Sequence, residues 1–148
     1  MRLLAIDPGP EESAYFLLVD GKPANFGKFS NDAILRMIHA RDLLADFLVI
    51  EKIASFGMPV GAEVFETVYW SGIFAHAFGL DRVDRLTRIA VKNHLCHSSR
   101  AKDGNIRQAI IDRLGPIGTK KSPGPCYGIS GDVWSALAVA LTWSDLHR

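Results

Sequence analysis

A chain of 148 residues that is 48% hydrophobic and 22% charged has the composition of one folded domain with its own core, which we place over residues 1–148. No apolar run approaches the roughly 18 residues of a membrane helix, the first one stops at Ile6 before a signal-peptide core is built, and no segment is of low complexity, so membrane and disordered classes are set aside. The net charge of +1 hides an asymmetry: residues 85–121 carry nine Lys/Arg against Asp103 and Asp112, a net of +7 that leaves −6 for the rest, and such a segment is either a solvated surface or the seat of a polyanion.

The pattern over 2–7 predicts a short buried strand, and 13–30 a hairpin around the turn Asp20-Gly21. A helix is predicted over 31–44, capped by Ser30 or Asn31, with Ile34, Leu35, Ile38 and Leu43 as its apolar stripe. Residues 46–52 read as a second buried strand, followed by a loop with Gly57, Pro59 and Gly61. The helix predicted over 62–78 is apolar nearly all round, more than one buried face requires, so Phe65, Tyr69, Trp70 and Phe74 are expected in the core or in a dimer interface. Alternation predicts a strand over 82–90, then a short helix or turn over 91–97 and an amphipathic helix over 101–115. A Gly/Pro-rich surface loop spans 116–131, and a last helix spans 132–148 with Trp134 and Trp143 as packing residues. The order of elements is that of a three-layer α/β domain. Cys96 and Cys126 form no CxxC pair and are expected as free thiols in a reducing cytoplasm, and His94, Cys96 and His97 lack a fourth partner at zinc-site spacing.

Asp7 and Glu51 share one context. Each ends a four-residue apolar run, and each precedes a stretch that leaves the strand. In α/β sheets, ligands collect at the carboxyl ends of strands. If the two strands are parallel neighbours, the carboxylates lie side by side, where they repel unless a cation joins them, and hard oxygen donors suit Mg²⁺ or Mn²⁺. Asp132, heading the last helix, is a third candidate; as a helix cap it would need no other explanation, and Asp7 has a similar alternative as a turn former. Behind Asp7, the Pro8-Gly9-Pro10 turn stops the strand, and Gly9 is expected to leave room for a phosphate.

The segments AIDPG followed by a hairpin, VIEK after a buried run, and GDVWSALAVAL, in this order and spacing, resemble the RuvC family of Holliday junction resolvases. IASFGMPVGAEVFETVYWSG and RAKDGNIRQAIIDRLG resemble the small members of that family encoded by phages and prophages. The resemblance implies an RNase H-like α/β fold, a central mixed five-stranded sheet flanked by helices. It also implies a homodimer that cuts four-way DNA junctions, leaving 5′-phosphate and 3′-hydroxyl ends, with divalent metal at acidic residues. Asp7, Glu51 and Asp132 match the family's ligand positions. The position one turn after Asp132 falls on Ser135, which is not acidic, so Ser135, a water, or Glu63, Glu66 or Asp103 fills the fourth place. Lys92 and Lys102 fall where the family carries lysines near the scissile phosphate, and Phe56 where an aromatic stacks on a junction base.

Phosphodiester hydrolysis needs an activated water and charge relief, which two Mg²⁺ or Mn²⁺ ions roughly 3.5–4 Å apart supply together. Asp7 is expected to bridge them, with Glu51 and Asp132 each on one ion and Lys92 or Lys102 on the transition-state charge. Arg100, Lys102, Arg107, Lys120 and Lys121 are expected to hold the DNA backbone, with Phe56 against a base. Two readings compete: the same carboxylates suit a nuclease for RNA–DNA hybrids or other branched substrates, and the missing fourth acid suits a junction-binding protein that does not cut.

Overall fold

The run Leu3 to Ile6 is apolar at every position, as a strand covered on both faces must be. In the computed structural model, which describes residues 1–148, it forms β1 (Arg2–Asp7), the middle strand of a five-stranded sheet. β2 (Glu12–Val19) and β3 (Lys22–Ser30) extend the sheet on one side, each antiparallel to its neighbour. On the other side lie β4 (Phe47–Lys52) and β5 (Val83–Thr87), both parallel, which gives the order β3-β2-β1-β4-β5. The β2–β3 turn is made by Asp20 and Gly21 with φ of 51° and 76°, the pair of positive angles that fits the twist of a tight hairpin.

The alternation of side chains sends Leu4, Ile6, Leu48 and Ile50 to one face, where α1 (Asn31–His39) and α2 (Ala62–Phe78) cover them with Ile34, Ile38 and Phe74. Leu3, Ala5 and Val49 point the other way, against α5 (Val133–Leu146). α5 is buried on nearly every side because α3 (Arg88–Cys96) and α4 (Asp103–Leu114) close over it with Val91, Ile106 and Ile110. Each such side chain removed from water contributes about 1.5–3 kcal/mol. This face of the sheet carries the carboxylates.

Two predicted boundaries move. The helix expected over 31–44 stops at His39, because Arg41 takes a left-handed conformation (φ 63°) and the Arg41 and Asp42 amides turn back onto Ile38 and Met37. This is a Schellman ending with arginine where glycine is usual. Leu43 is buried as expected, but from the turn rather than from a helix. The strand expected over 82–90 ends at Thr87, whose hydroxyl caps the Ala90 amide at 3.1 Å and starts α3. α3 therefore replaces both the end of that strand and the short helix expected over 91–97, and Arg88 becomes its first residue.

Candidate active site

The parallel pairing of β1 and β4 sets Ile6 opposite Ile50, so the next residues, Asp7 and Glu51, emerge side by side at the carboxyl ends of both strands. They share the face of Ala5 and Val49, beneath the start of α5. Burial pushes the Asp7 carboxyl up to about 9, aided by the Glu51 carboxyl beside it and by the charge of Asp132, while Arg88 pulls the other way. The turn behind Asp7 is tied down by a buried relay: the Gly9 amide donates to Ser13 Oγ (3.1 Å), Ser13 to Asn31 Oδ1 (2.6 Å), and Asn31 Nδ2 back to the Gly9 carbonyl (2.9 Å). A Cβ at Gly9 would stand 2.3 Å from the Glu12 carbonyl oxygen, so the space beside it belongs to the chain itself and not, as expected, to a phosphate.

Asp132 lies just before α5, but its side chain caps no amide. Lys28 Nζ from β3 reaches its carboxylate at 2.7 Å instead, so the capping alternative does not hold. Across the cleft, Arg88 Nη1 stands 3.3 Å from Glu51 Oε1 and 3.5 Å from Ser135 Oγ, while Nη2 binds Asp103. Burial works against the Arg88 charge, but Glu51 and Asp103 outweigh it and hold the guanidinium above its ordinary pKa. Glu51, Arg88, Asp103, Arg107, Asp132 and Ser135 line one cavity of about 170 Å³. A larger hollow of about 640 Å³ opens on the other side of Glu51, between α2 and the β4–β5 edge.

The structure thus gathers Asp7, Glu51 and Asp132 at one end of the sheet, and of the acids proposed for the fourth place it brings Asp103 alongside, on α4. Arg107 borders the same cavity, with its guanidinium 5.6 Å from the centre of the Trp134 ring. Lys102 is exposed immediately before α4, and Lys92 is half-buried on α3, one turn beyond Arg88; neither forms an ion pair. Arg100, Lys120 and Lys121 are exposed. Phe56 is exposed in the loop after β4, with φ of 48°. Glu63 heads α2, and Glu66 lies one turn further on; neither lines the cavity. His94 hydrogen-bonds Asp145 at 2.8 Å, and no metal-ligating group forms with Cys96 and His97. Arg88 and Lys28 were not singled out as site residues from sequence. The Thr87 cap before an apolar helical run was the available signal for Arg88; Lys28 gave none, being one charge on an exposed strand.

No three acids, histidines or cysteines converge tightly enough to enclose a metal by themselves. The donor chemistry nevertheless fits a hard divalent cation. Two adjacent carboxylates, one of them driven to hold a proton, are what a cation between them would relieve, and Asp132 supplies a third oxygen donor from across the cleft.

No protein-family model matches the chain, and no protein of curated function matches it in sequence. Solved structures do match over its whole length. The Thermus thermophilus RuvC structure is 18% identical with a TM-score of 0.72, covering 100% of this chain and 96% of that one. T. thermophilus RuvC in complex with Holliday junction substrate is 20% identical with a TM-score of 0.72, covering 100% and 95%. The mixed five-stranded sheet and its five flanking helices are the RNase H-like fold of RuvC.

Proposed function

We propose that this chain is a metal-dependent, structure-selective endonuclease that resolves four-way DNA junctions by paired phosphodiester hydrolysis. The reading rests on one observation above the others: the Asp7–Glu51 pair at the carboxyl ends of parallel neighbours, in a cleft with Asp132. The RuvC fold supports it, since one RuvC with that fold was solved on a Holliday junction. The likeness of the segments IASFGMPVGAEVFETVYWSG and RAKDGNIRQAIIDRLG to the small phage- and prophage-encoded resolvases supports assigning the chain to that group, and the two free thiols, Cys96 and Cys126, are in keeping with action in the cytoplasm.

Asp7, Glu51 and Asp132 would hold Mg²⁺ or Mn²⁺, which supplies an activated water and charge relief on the phosphoryl oxygens. Asp7 must give up its proton to take part, and Asp132 must leave Lys28. Arg100, Lys102, Arg107, Lys120 and Lys121 bind phosphates and position the duplex without reading its sequence. Lys92 or Lys102 stands closest in role to a stabiliser of transition-state charge. Phe56, exposed on its loop, stacks on an unpaired base at the branch. Paired cuts need two sites, and α2 offers the surface for a homodimer: Phe65, Val68 and Tyr69 are each more than half exposed.

The test is cleavage by the full chain, in Mg²⁺ and in Mn²⁺, of a synthetic four-way junction, a matched linear duplex and an RNA–DNA hybrid. The junction is expected to be cut fastest, and Asp7→Asn to bind it without cutting. A hybrid cut faster than the junction would transfer the assignment to the RNase H-type reading. Binding without cleavage in either metal would leave a non-cleaving junction binder.

A further inference from the structure

We infer that Arg88 is a built-in cation of this site, occupying the place of a second metal ion so that each site takes a single divalent ion. The inference rests on the metal-dependent reading above and changes its count of two ions.

The guanidinium sits on the side of Glu51 occupied by Asp103 and Ser135, with one nitrogen between Glu51 Oε1 and Ser135 Oγ and the other on Asp103. An ion placed there would use the same three oxygen-bearing side chains. Arg88 is held by its position: as the first residue of α3, behind the Thr87 cap, it projects from a fixed helix start with its side chain only 34% exposed. A guanidinium cannot shed its proton to make way, and its planar fork suits two carboxylates at once.

Charge is in keeping with this. Four carboxylates (Asp7, Glu51, Asp103 and Asp132) meet one fixed cation, Arg88, and one displaceable cation, Lys28, so the formal charge with all four ionised is −2 while Lys28 stays on Asp132 and −3 once it leaves. One divalent ion brings this to zero or −1, whereas two bring it to +2 or +1. The two cations differ in kind. Lys28 sits on a 57% exposed carboxylate and competes for Asp132 from solvent, whereas Arg88 lines the cavity and is held between Glu51 and Asp103.

The experiment is calorimetric titration of the full chain with Mn²⁺ alone, near neutral pH, with circular dichroism to confirm folding. Wild type is expected to bind one Mn²⁺ per chain. Arg88→Met, which keeps the bulk and removes the charge, is expected to bind two, and Arg88→Gln to do the same if the Met variant does not fold. Lys28→Met is expected to bind one ion, more tightly than wild type. Two ions on wild type, one ion on the folded Arg88 variant, or a second ion gained equally by Lys28→Met would overturn the inference while leaving a metal-dependent nuclease intact. No Mn²⁺ on any of the proteins would overturn the metal-dependent reading itself, and this inference with it.

Discussion

Replacing Asp7 with asparagine should make the metal-free protein more stable, and increasingly so as pH rises. The Asp7 carboxyl has an ordinary value of 3.8 and is lifted to about 9 by burial and by Glu51 beside it. The folded state therefore keeps a proton that the unfolded chain releases, and stability falls as pH rises from about 4 toward 9. One pKa unit corresponds to about 1.4 kcal/mol, so the full term at pH 7 is about 4 kcal/mol. Solvent screening at the cleft mouth reduces it, and about 2 kcal/mol is the expected gain at pH 7. Asparagine keeps a donor for Glu51, as the protonated aspartic acid does, and has nothing to ionise. Thermal unfolding from pH 4 to pH 8.5 in chelator should show the variant drawing ahead of wild type, by about 4–8 °C at pH 7. Mn²⁺ should close the gap, because a ligand that binds only the folded wild type stabilises it alone. A gain that does not change with pH, or a variant less stable than wild type at pH 8, would refute the reasoning. The more stable protein should also be inactive, as expected where repelling groups are kept close for chemistry.

Three further outcomes are expected. Asp145 is held at about 2, first by the two-pronged contact of Arg113 at 2.6 and 2.7 Å and then by His94. Its contribution is present above about pH 4 and is lost as pH falls through 2, so Asp145→Asn should cost about 2 kcal/mol in urea unfolding at pH 7 and almost nothing at pH 2. In the loop before α5, a Cβ at Gly124 would stand 1.9 Å from the Pro116 carbonyl oxygen. Gly124→Ala should open the bridge between Gly118 and Pro123, read as faster hydrogen exchange at the Thr119 amide with exchange of the α5 amides unchanged. On the exposed side of α2, where Tyr69 is 62% exposed in the single chain, Tyr69→Asp should yield a folded monomer by sedimentation, with a wild-type circular dichroism spectrum and a thermal midpoint that no longer rises with protein concentration.

Most of the fold was legible because its signals are local and periodic. Four apolar residues ending in a carboxylate, met twice, placed Asp7 and Glu51 at strand ends, and parallel pairing then brought them together. The hairpin was legible from Asp20-Gly21, since that pair supplies the two positive φ angles a tight turn demands. The misses lie where a residue departs from its usual preference. Arg41 ends α1 in a conformation normally left to glycine, so the helix signal ran on to residue 44. Alternation over 82–90 outweighed one threonine cap, so Arg88 was read as a strand residue. The partners Arg88–Glu51 and Lys28–Asp132 are 37 and 104 residues apart, and no local pattern pairs residues at such distances. Gly9 was read for what it admits from outside, whereas the constraint on it comes from the carbonyl of Glu12 in its own turn.

The most direct measurement is single-turnover cleavage of a four-way junction by wild type and Glu51→Gln, with binding to the same junction recorded in parallel. Glu51 is 7% exposed at the end of β4, so glutamine fits its place and removes only the charge. With Mg²⁺ or Mn²⁺, wild type is expected to cut symmetrically placed strands, and Glu51→Gln to bind equally well while cutting at least about 100-fold more slowly. Cleavage by Glu51→Gln at the wild-type rate, or cleavage by wild type in chelator, would contradict a metal centre built on Asp7 and Glu51.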